Sequence, residues 1–273
     1  MKILISVDIE GVAGVFHPEQ TRAGNPEYER ARRLMTLEAN AVINGALAGG
    51  ATEVLVNDSH GSFRNLLPDL LHPSAVAIQG KPRLAGMMSG VETGVDAVMM
   101  VGYHGRSQSS GILAHTINSF AFARVWLNEI ELGEAGIYGA LAGEFGVPVI
   151  FGSGDNVFVD EAKVLFPQAT LVSVKTAQGS TSGHSVSPQR AVSLLTEGAK
   201  AALKNIKDAQ PFVLQPPITC KLQTQSSALA DLFCQLPILA RIDGVSVGFS
   251  APSVQYAVRV LNSLSAMSFM LRN

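Results

Sequence analysis

With 273 residues, 47% hydrophobic and only 15% charged, the chain has material for one large core, or one large and one small. Its formal net charge of −2 gives no electrostatic footing on nucleic acid or an anionic membrane. No run of about 20 apolar residues is present to span a bilayer. The two cysteines, Cys220 and Cys234, follow neither a metal-ligand nor a disulfide spacing and are expected as reduced thiols. One lysine and a short apolar run before Asp8 do not make a signal peptide, so a cytoplasmic protein is the expectation. A low charged fraction with 26 glycines leans toward surface buried against further copies.

Lys2–Val7 is a short, mostly apolar, β-branched run that reads as a strand buried on both faces of a parallel sheet. Asp8-Ile9-Glu10-Gly11 follows at once, at the edge where open α/β sheets bind ligands. If the extended geometry persisted through residue 10, Asp8 and Glu10 would point to one side. Asn25-Pro26 then opens a helix as cap and first-turn proline, carrying an apolar face to Ala48 before Gly49-Gly50 ends it. Glu53–Asn57 is a second strand running into Asp58-Ser59-His60-Gly61. Residues 62–94 give no clear pattern.

Asp96–Val101 is a third strand, emptying into Gly102-Tyr103-His104-Gly105-Arg106. A polar loop leads to His115. Phe120–Trp126 and Ile130–Leu132 form a hairpin around Asn128-Glu129, and Glu134 opens a helix to Phe145. Val147–Phe151 is a fourth buried strand, ending in a loop at Gly152-Ser153-Gly154-Asp155-Asn156. A helix (159–166), a strand (169–174) and a helix from Ser187-Pro188 to about Lys207 follow. Prolines 211, 216 and 217 mark a change of style, with two strands and two helices beyond. The fold class is α/β, a mostly parallel sheet flanked by helices. Residues 1–209 are expected as the metal-binding catalytic domain and 210–273 as a small α+β domain.

Three strand ends in succession carry Asp8 and Glu10, then His60, then His104. In a parallel sheet these are one edge, so topology itself predicts their convergence. Two like charges held close need a cation, a shared proton or solvent, and carboxylates mixed with imidazoles suit zinc. Taken singly, an aspartate after a first strand is often a turn residue and a lone histidine a structural one; the coincidence at three ends argues for a site. His17, His72 and His184 read as surface loop residues. No phosphate-cradling glycine pattern or Gly-x-Ser-x-Gly elbow is present. An aspartyl-phosphate phosphatase with Asp8 as nucleophile and Gly152–Asn156 as a magnesium loop is a rival, though it has no use for His60 and His104.

Ser6-Val7-Asp8-Ile9-Glu10-Gly11-Val12-Ala13-Gly14, Asn57-Asp58-Ser59-His60, Gly102-Tyr103-His104, His115 and Gly133-Glu134 together resemble the zinc D-aminopeptidases of the DppA type, with further matches at Tyr28-Glu29-Arg30 and Glu38-Ala39-Asn40. The resemblance is collinear to about residue 205. It implies two zinc ions per subunit on Asp8, Glu10, His60, His104 and Glu134, with His115 as the catalytic residue. It also implies a homo-oligomer, a ring-shaped decamer enclosing the sites. The function implied is release of the N-terminal residue of short peptides, D-alanyl peptides above all; the expected route is a metal-bridged water, with Asp8 chosen as the bridging carboxylate. Zinc brings the pKa of such a water from about 15.7 toward about 7, and a mobile imidazole can shuttle protons. A metal-dependent amidase or esterase on another substrate is the alternative. Residues around the motifs, such as Gly61-Ser62-Phe63-Arg64, bear on substrate preference.

Overall fold

The computed structural model describes residues 1–272. Among the described residues, twelve strands form two sheets. The first contains β1 (Lys2–Val7), β2 (Glu53–Asp58), β3 (Ala75–Ile78), β4 (Ala97–Tyr103), β7 (Val149–Asp155), β8 (Thr170–Gly179) and β9 (Ser182–Ser185), in the order β3-β2-β1-β4-β7-β8-β9. Every pairing in it is parallel except the final β8–β9 hairpin. The second is antiparallel, in the order β11-β12-β10-β5-β6, from β5 (Phe122–Leu127), β6 (Ile130–Glu131), β10 (Ile218–Thr224), β11 (Ala240–Arg241) and β12 (Ser246–Ala251).

The parallel sheet is buried on both faces, which explains why its strands are apolar runs without alternation. In β1, Ile3, Ile5 and Val7 enter one core while Leu4 enters the other. The first core lies under α1 (Pro26–Ala48) and α4 (Pro188–Lys204), which pack side by side. The second joins α2 (Glu134–Glu144), α5 (Ser227–Phe233), α6 (Val254–Met267) and the antiparallel sheet. Helix α1 starts as its sequence dictates: Asn25 accepts the Tyr28 N–H at 2.9 Å, with Pro26 at the first position. Among the described residues no helix is long and apolar enough to cross a membrane. Cys220 and Cys234 are both free thiols.

Two expectations change, and the second sheet draws strands from both sides of residue 210. The segment 152–156 is strand rather than loop as far as Asp155, whose side chain caps α3 (Asn156–Leu165) by accepting the Phe158 N–H. The strand ending at 174 in the sequence reading continues to Gly179 and returns as β9, which carries His184. The step at residue 210 does not coincide with a boundary between sheets: β10 pairs with β5, so the second sheet is built around a hairpin from the middle of the chain.

Candidate metal centre

Because β2, β1 and β4 are parallel neighbours, their carboxyl ends form one edge, and Asp8, Glu10, His60 and His104 meet there. The extended geometry stops at Val7, so Asp8 and Glu10 converge through a turn rather than a continued pleat. That turn lies against β4: the Gly11 N–H donates to the Gly102 carbonyl at 2.7 Å. A Cβ on Gly11 would lie 1.9 Å from the Tyr103 carbonyl, and one on Gly102 2.3 Å from the Asp8 carbonyl. Two glycines are thus needed for the ligand-bearing segments to touch. Glu134, first residue of α2, is buried at the positive end of the helix. His115 enters on the loop between β4 and β5. All six candidates are therefore gathered at one place.

His60 Nδ1 lies 3.3 Å from Asp8 Oδ1 and 3.0 Å from Glu10 Oε2. His104 Nε2 lies 3.4 Å from Asp8 Oδ2 and 3.7 Å from Glu134 Oε2. His115 stacks on His104 with ring centroids 4.3 Å apart, its Nε2 3.5 Å from Glu134 Oε1. The two oxygens of Asp8 thus face different imidazoles. Ligand atoms of Asp8, Glu10 and His104, and those of His104, His115 and Glu134, form two sets within 4.8 Å of one another.

The outer nitrogen of each imidazole points at a backbone carbonyl: His60 Nε2 at Thr21 (2.8 Å), His104 Nδ1 at Gly105 (3.0 Å) and His115 Nδ1 at Leu113 (2.9 Å). Carbonyls only accept, so each outer nitrogen carries the proton, and in the neutral ring the inner one keeps its lone pair free for a metal or a proton. With both imidazoles neutral, as metal ligands must be, His104 Nε2 and Glu10 Oε2 are buried without a hydrogen-bond partner, which a cation between them would supply. This donor set fits zinc.

Without a cation the cluster balances itself with protons. Burial, with Glu10 beside it, raises the Asp8 carboxyl above its usual value. Burial opposes ionisation of Glu10 and Glu134 too, but His60 beside the first and His104 beside the second outweigh it and hold both carboxyls down. Burial likewise disfavours the imidazolium forms, yet Glu10 beside His60 and Glu134 beside His104, each with Asp8, push both imidazoles well above their usual value.

Beneath the site lie three hydroxyls that stand inside the quoted motifs but to which the sequence assigned no role. Ser6 Oγ is 2.6 Å from Ser59 Oγ, 2.7 Å from the Tyr103 hydroxyl and 2.7 Å from the Met87 carbonyl. The Met87 carbonyl only accepts, from Ser6, while Ser59 Oγ also faces the Asn57 and Met87 carbonyls at 3.2 and 3.3 Å, so the cluster shares one proton per hydroxyl. The three hydroxyls stitch together β1, the end of β2 and β4, within two residues of Asp8, His60 and His104. Tyr103→Phe removes one hydroxyl and no volume. It is expected to weaken zinc retention by roughly 10–100-fold, the usual cost of losing an outer partner, which competition with a chromogenic chelator measures.

Lys175, 2% exposed, donates to the Glu10 and Val15 carbonyls at 2.5 and 2.6 Å, while Glu38 accepts the Ala13 N–H at 2.8 Å. Together they hold the turn that carries Glu10 from behind. Burial raises Glu38 to about 7 and lowers Lys175 to about 8. The His115 loop is pinned by Ile112 N–H to Asp155 Oδ2 (2.7 Å), Leu113 N–H to the Ser180 carbonyl (2.8 Å) and Ile117 N–H to Glu134 Oε1 (2.6 Å). Ile117 has φ +61°, an uncommon value for a β-branched residue that marks strain beside the site. Asn118 then ties the loop to Ser265 and Ser268 at the end of α6.

Other candidates fall away. Both Asp155 oxygens accept backbone N–H groups, so residues 152–156 form no magnesium loop and the phosphatase reading loses its second acid. His17 and His72 make local turns, accepting from Glu19 N–H and Ser74 N–H.

The family described as Peptidase_M55, D-aminopeptidase, matches residues 1–263. The D-aminopeptidase of Bacillus subtilis (strain 168) is 36% identical over 217 residues, which cover 80% of this chain and 78% of that protein. Among solved structures, the Zn-dependent D-aminopeptidase DppA from Bacillus subtilis, described as a self-compartmentalizing protease, superposes with a TM-score of 0.96. The identity there is 30%, over 98% of each chain.

Proposed function

The chain belongs to the M55 peptidase family of D-aminopeptidases, and from that membership we propose that it is a zinc aminopeptidase releasing the N-terminal residue of short D-alanyl-type peptides. The observation that carries this reading is the pair of buried orphans, Glu10 Oε2 and His104 Nε2, inside a ring of carboxylates and bare imidazole nitrogens. Two zinc ions per subunit suit the way the site divides. Glu10 and His60 would hold one and His104 and Glu134 the other, with Asp8, one oxygen toward each imidazole, shared between them. Bound zinc supplies a Lewis acid for the scissile carbonyl and a water acidified to neutral pH.

The chain's own residues do the rest. The site's carboxylates attract the free α-amine of the substrate, which restricts cleavage to the first residue. His115 keeps its Nδ1 proton on the Leu113 carbonyl, so Nε2 is the atom that takes a proton from the attacking water and returns it to the departing amine. The stack on His104 and the Leu113 carbonyl hold that imidazole in place. The likeness to a self-compartmentalizing protease supports assembly of the subunits around an inner chamber, for which we propose a ring-shaped decamer in the cytoplasm.

The test is metal quantification on purified protein alongside hydrolysis of matched D- and L-alanyl anilides. About two zinc ions per subunit and selective cleavage of the D form are expected; turnover of neither anilide overturns the proposal.

Zinc must displace the protons held on His60 and His104, so its affinity rises with pH. In the zinc-free protein the raised imidazole values stabilise the fold below about pH 6.5, a contribution lost as pH climbs through them. The Tm gap between zinc-loaded and chelated protein is therefore expected to widen from about pH 6.5 upward. Thermal denaturation across that window checks the sign; a constant gap contradicts it.

A further inference from the structure

Beside the carboxylate-rich centre lies a group of cations that the reaction as described leaves unused. β3 is the edge neighbour of β2, and the chain leaving its carboxyl end brings Lys81 and Arg83 back over the loop that follows His60. Arg83 donates to Asn57 Oδ1 and to the Asp58 carbonyl, clamping this segment to the strand end that bears His60. Lys81 donates to the Gly61 carbonyl at 2.8 Å, one residue from His60. Between them lies Phe63, with Arg83 Cζ 4.0 Å and Lys81 Nζ 5.4 Å from its ring centroid.

Phe63 adopts φ +59°, a conformation an aromatic residue rarely takes. It is held there by its N–H on the His60 carbonyl (2.8 Å) and its carbonyl on the Gly80 N–H (2.6 Å). Arg64 follows with its side chain exposed. Among the described residues none of Arg64, Lys81 and Arg83 has an ion-pair partner. Burial, then Arg83 and Arg64, push the Lys81 ammonium below its usual value. The charges of Asp58 and Glu92 face Arg83, whereas Lys81 is opposed by burial and by the like charges of Arg83 and Arg64.

We infer that Lys81 and Arg64, carried by Phe63 and backed by Arg83, form a seat for the free C-terminal carboxylate of a short peptide substrate. The inference rests on the aminopeptidase reading and deepens it. A zwitterionic peptide offers an amine to the carboxylates of the metal centre and a carboxylate to these cations, matching the order of charges along this sheet edge. Lys81 keeps ammonium protons beyond the one given to Gly61, and the Arg64 guanidinium makes no hydrogen bond inside the protein, so both are free to receive the ligand.

The test compares a D-alanine dipeptide with its C-terminal amide on the zinc-loaded enzyme. The parent is expected to favour the free acid. Lys81→Met and, separately, Arg64→Gln are expected to raise KM for the acid about tenfold, as loss of a charged hydrogen bond does, leaving KM for the amide and kcat for both within about twofold. Arg64→Gln leaves every hydrogen bond of the loop intact, so its outcome does not depend on folding. A parent that treats acid and amide alike, or variants that lose both substrates equally, overturns the seat. Failure of the parent to cleave either substrate sinks the aminopeptidase reading instead.

Discussion

Replacing His115 by alanine is expected to lower kcat by about 10²- to 10⁴-fold, the range for removing a positioned acid–base group, while leaving zinc content unchanged. His115 touches the site on two sides only, through the stack on His104 at 4.3 Å and the approach of Nε2 to Glu134 at 3.5 Å. Neither is needed to hold Asp8, Glu10 or His60. It also belongs to one of the two sets of donors able to surround an ion, with His104 and Glu134, so the rival role is that of a ligand. The paired readout decides: elemental analysis and turnover on the same preparation. Loss of zinc in step with activity makes His115 a ligand and removes it as proton carrier.

Asp8→Asn is expected to act by the other route. Asparagine keeps the shape and still accepts the Ile9 N–H that Asp8 Oδ1 receives at 2.9 Å, but it removes the charge that faces both His60 and His104. Zinc content should fall below one per subunit and kcat/KM by more than the roughly 100-fold that an outer partner costs. The zinc-free protein should behave in the opposite sense. Burial and Glu10 make an ionised Asp8 costly, so zinc-free Asp8→Asn is expected to melt no lower than the zinc-free parent. Calorimetry with and without zinc separates the two effects; a fall in Tm without zinc makes Asp8 a structural residue first.

The fold of the parallel half was legible because its strands need no partner pattern to be recognised. Ile3, Leu4 and Ile5 are apolar on both faces because both faces are covered. Once β1, β2 and β4 are parallel neighbours, Asp8, His60 and His104 meet by topology alone. Glu134 and His115 were different: a first-turn acid and a loop histidine have ordinary explanations, and only the resemblance to a family singled them out.

What escaped depends on contacts distant in sequence. Ser6, Ser59 and Tyr103 look like any small or aromatic residue beside a strand end until their hydroxyls meet at 2.6–2.7 Å. Nothing in the sequence around Lys175 marks it, yet its ammonium is buried on two carbonyls some 160 residues away. The strand Ser182–Ser185 has no apolar residue to announce it and forms because β8 presents an edge. The break at residue 210 is a real change of composition that marks no change of sheet, since β5 waits for β10.

That interleaving ties readiness for chemistry to completion of synthesis. The segments bearing His115 and Glu134 flank the β5–β6 hairpin, and this hairpin reaches its sheet partner only after β10 has been made. The loop itself is moored through Asn118 to Ser265 and Ser268, later still. A chain emerging from the ribosome thus carries Asp8, Glu10, His60 and His104 long before the other half of the centre can dock, and a peptidase half-made is a peptidase disarmed.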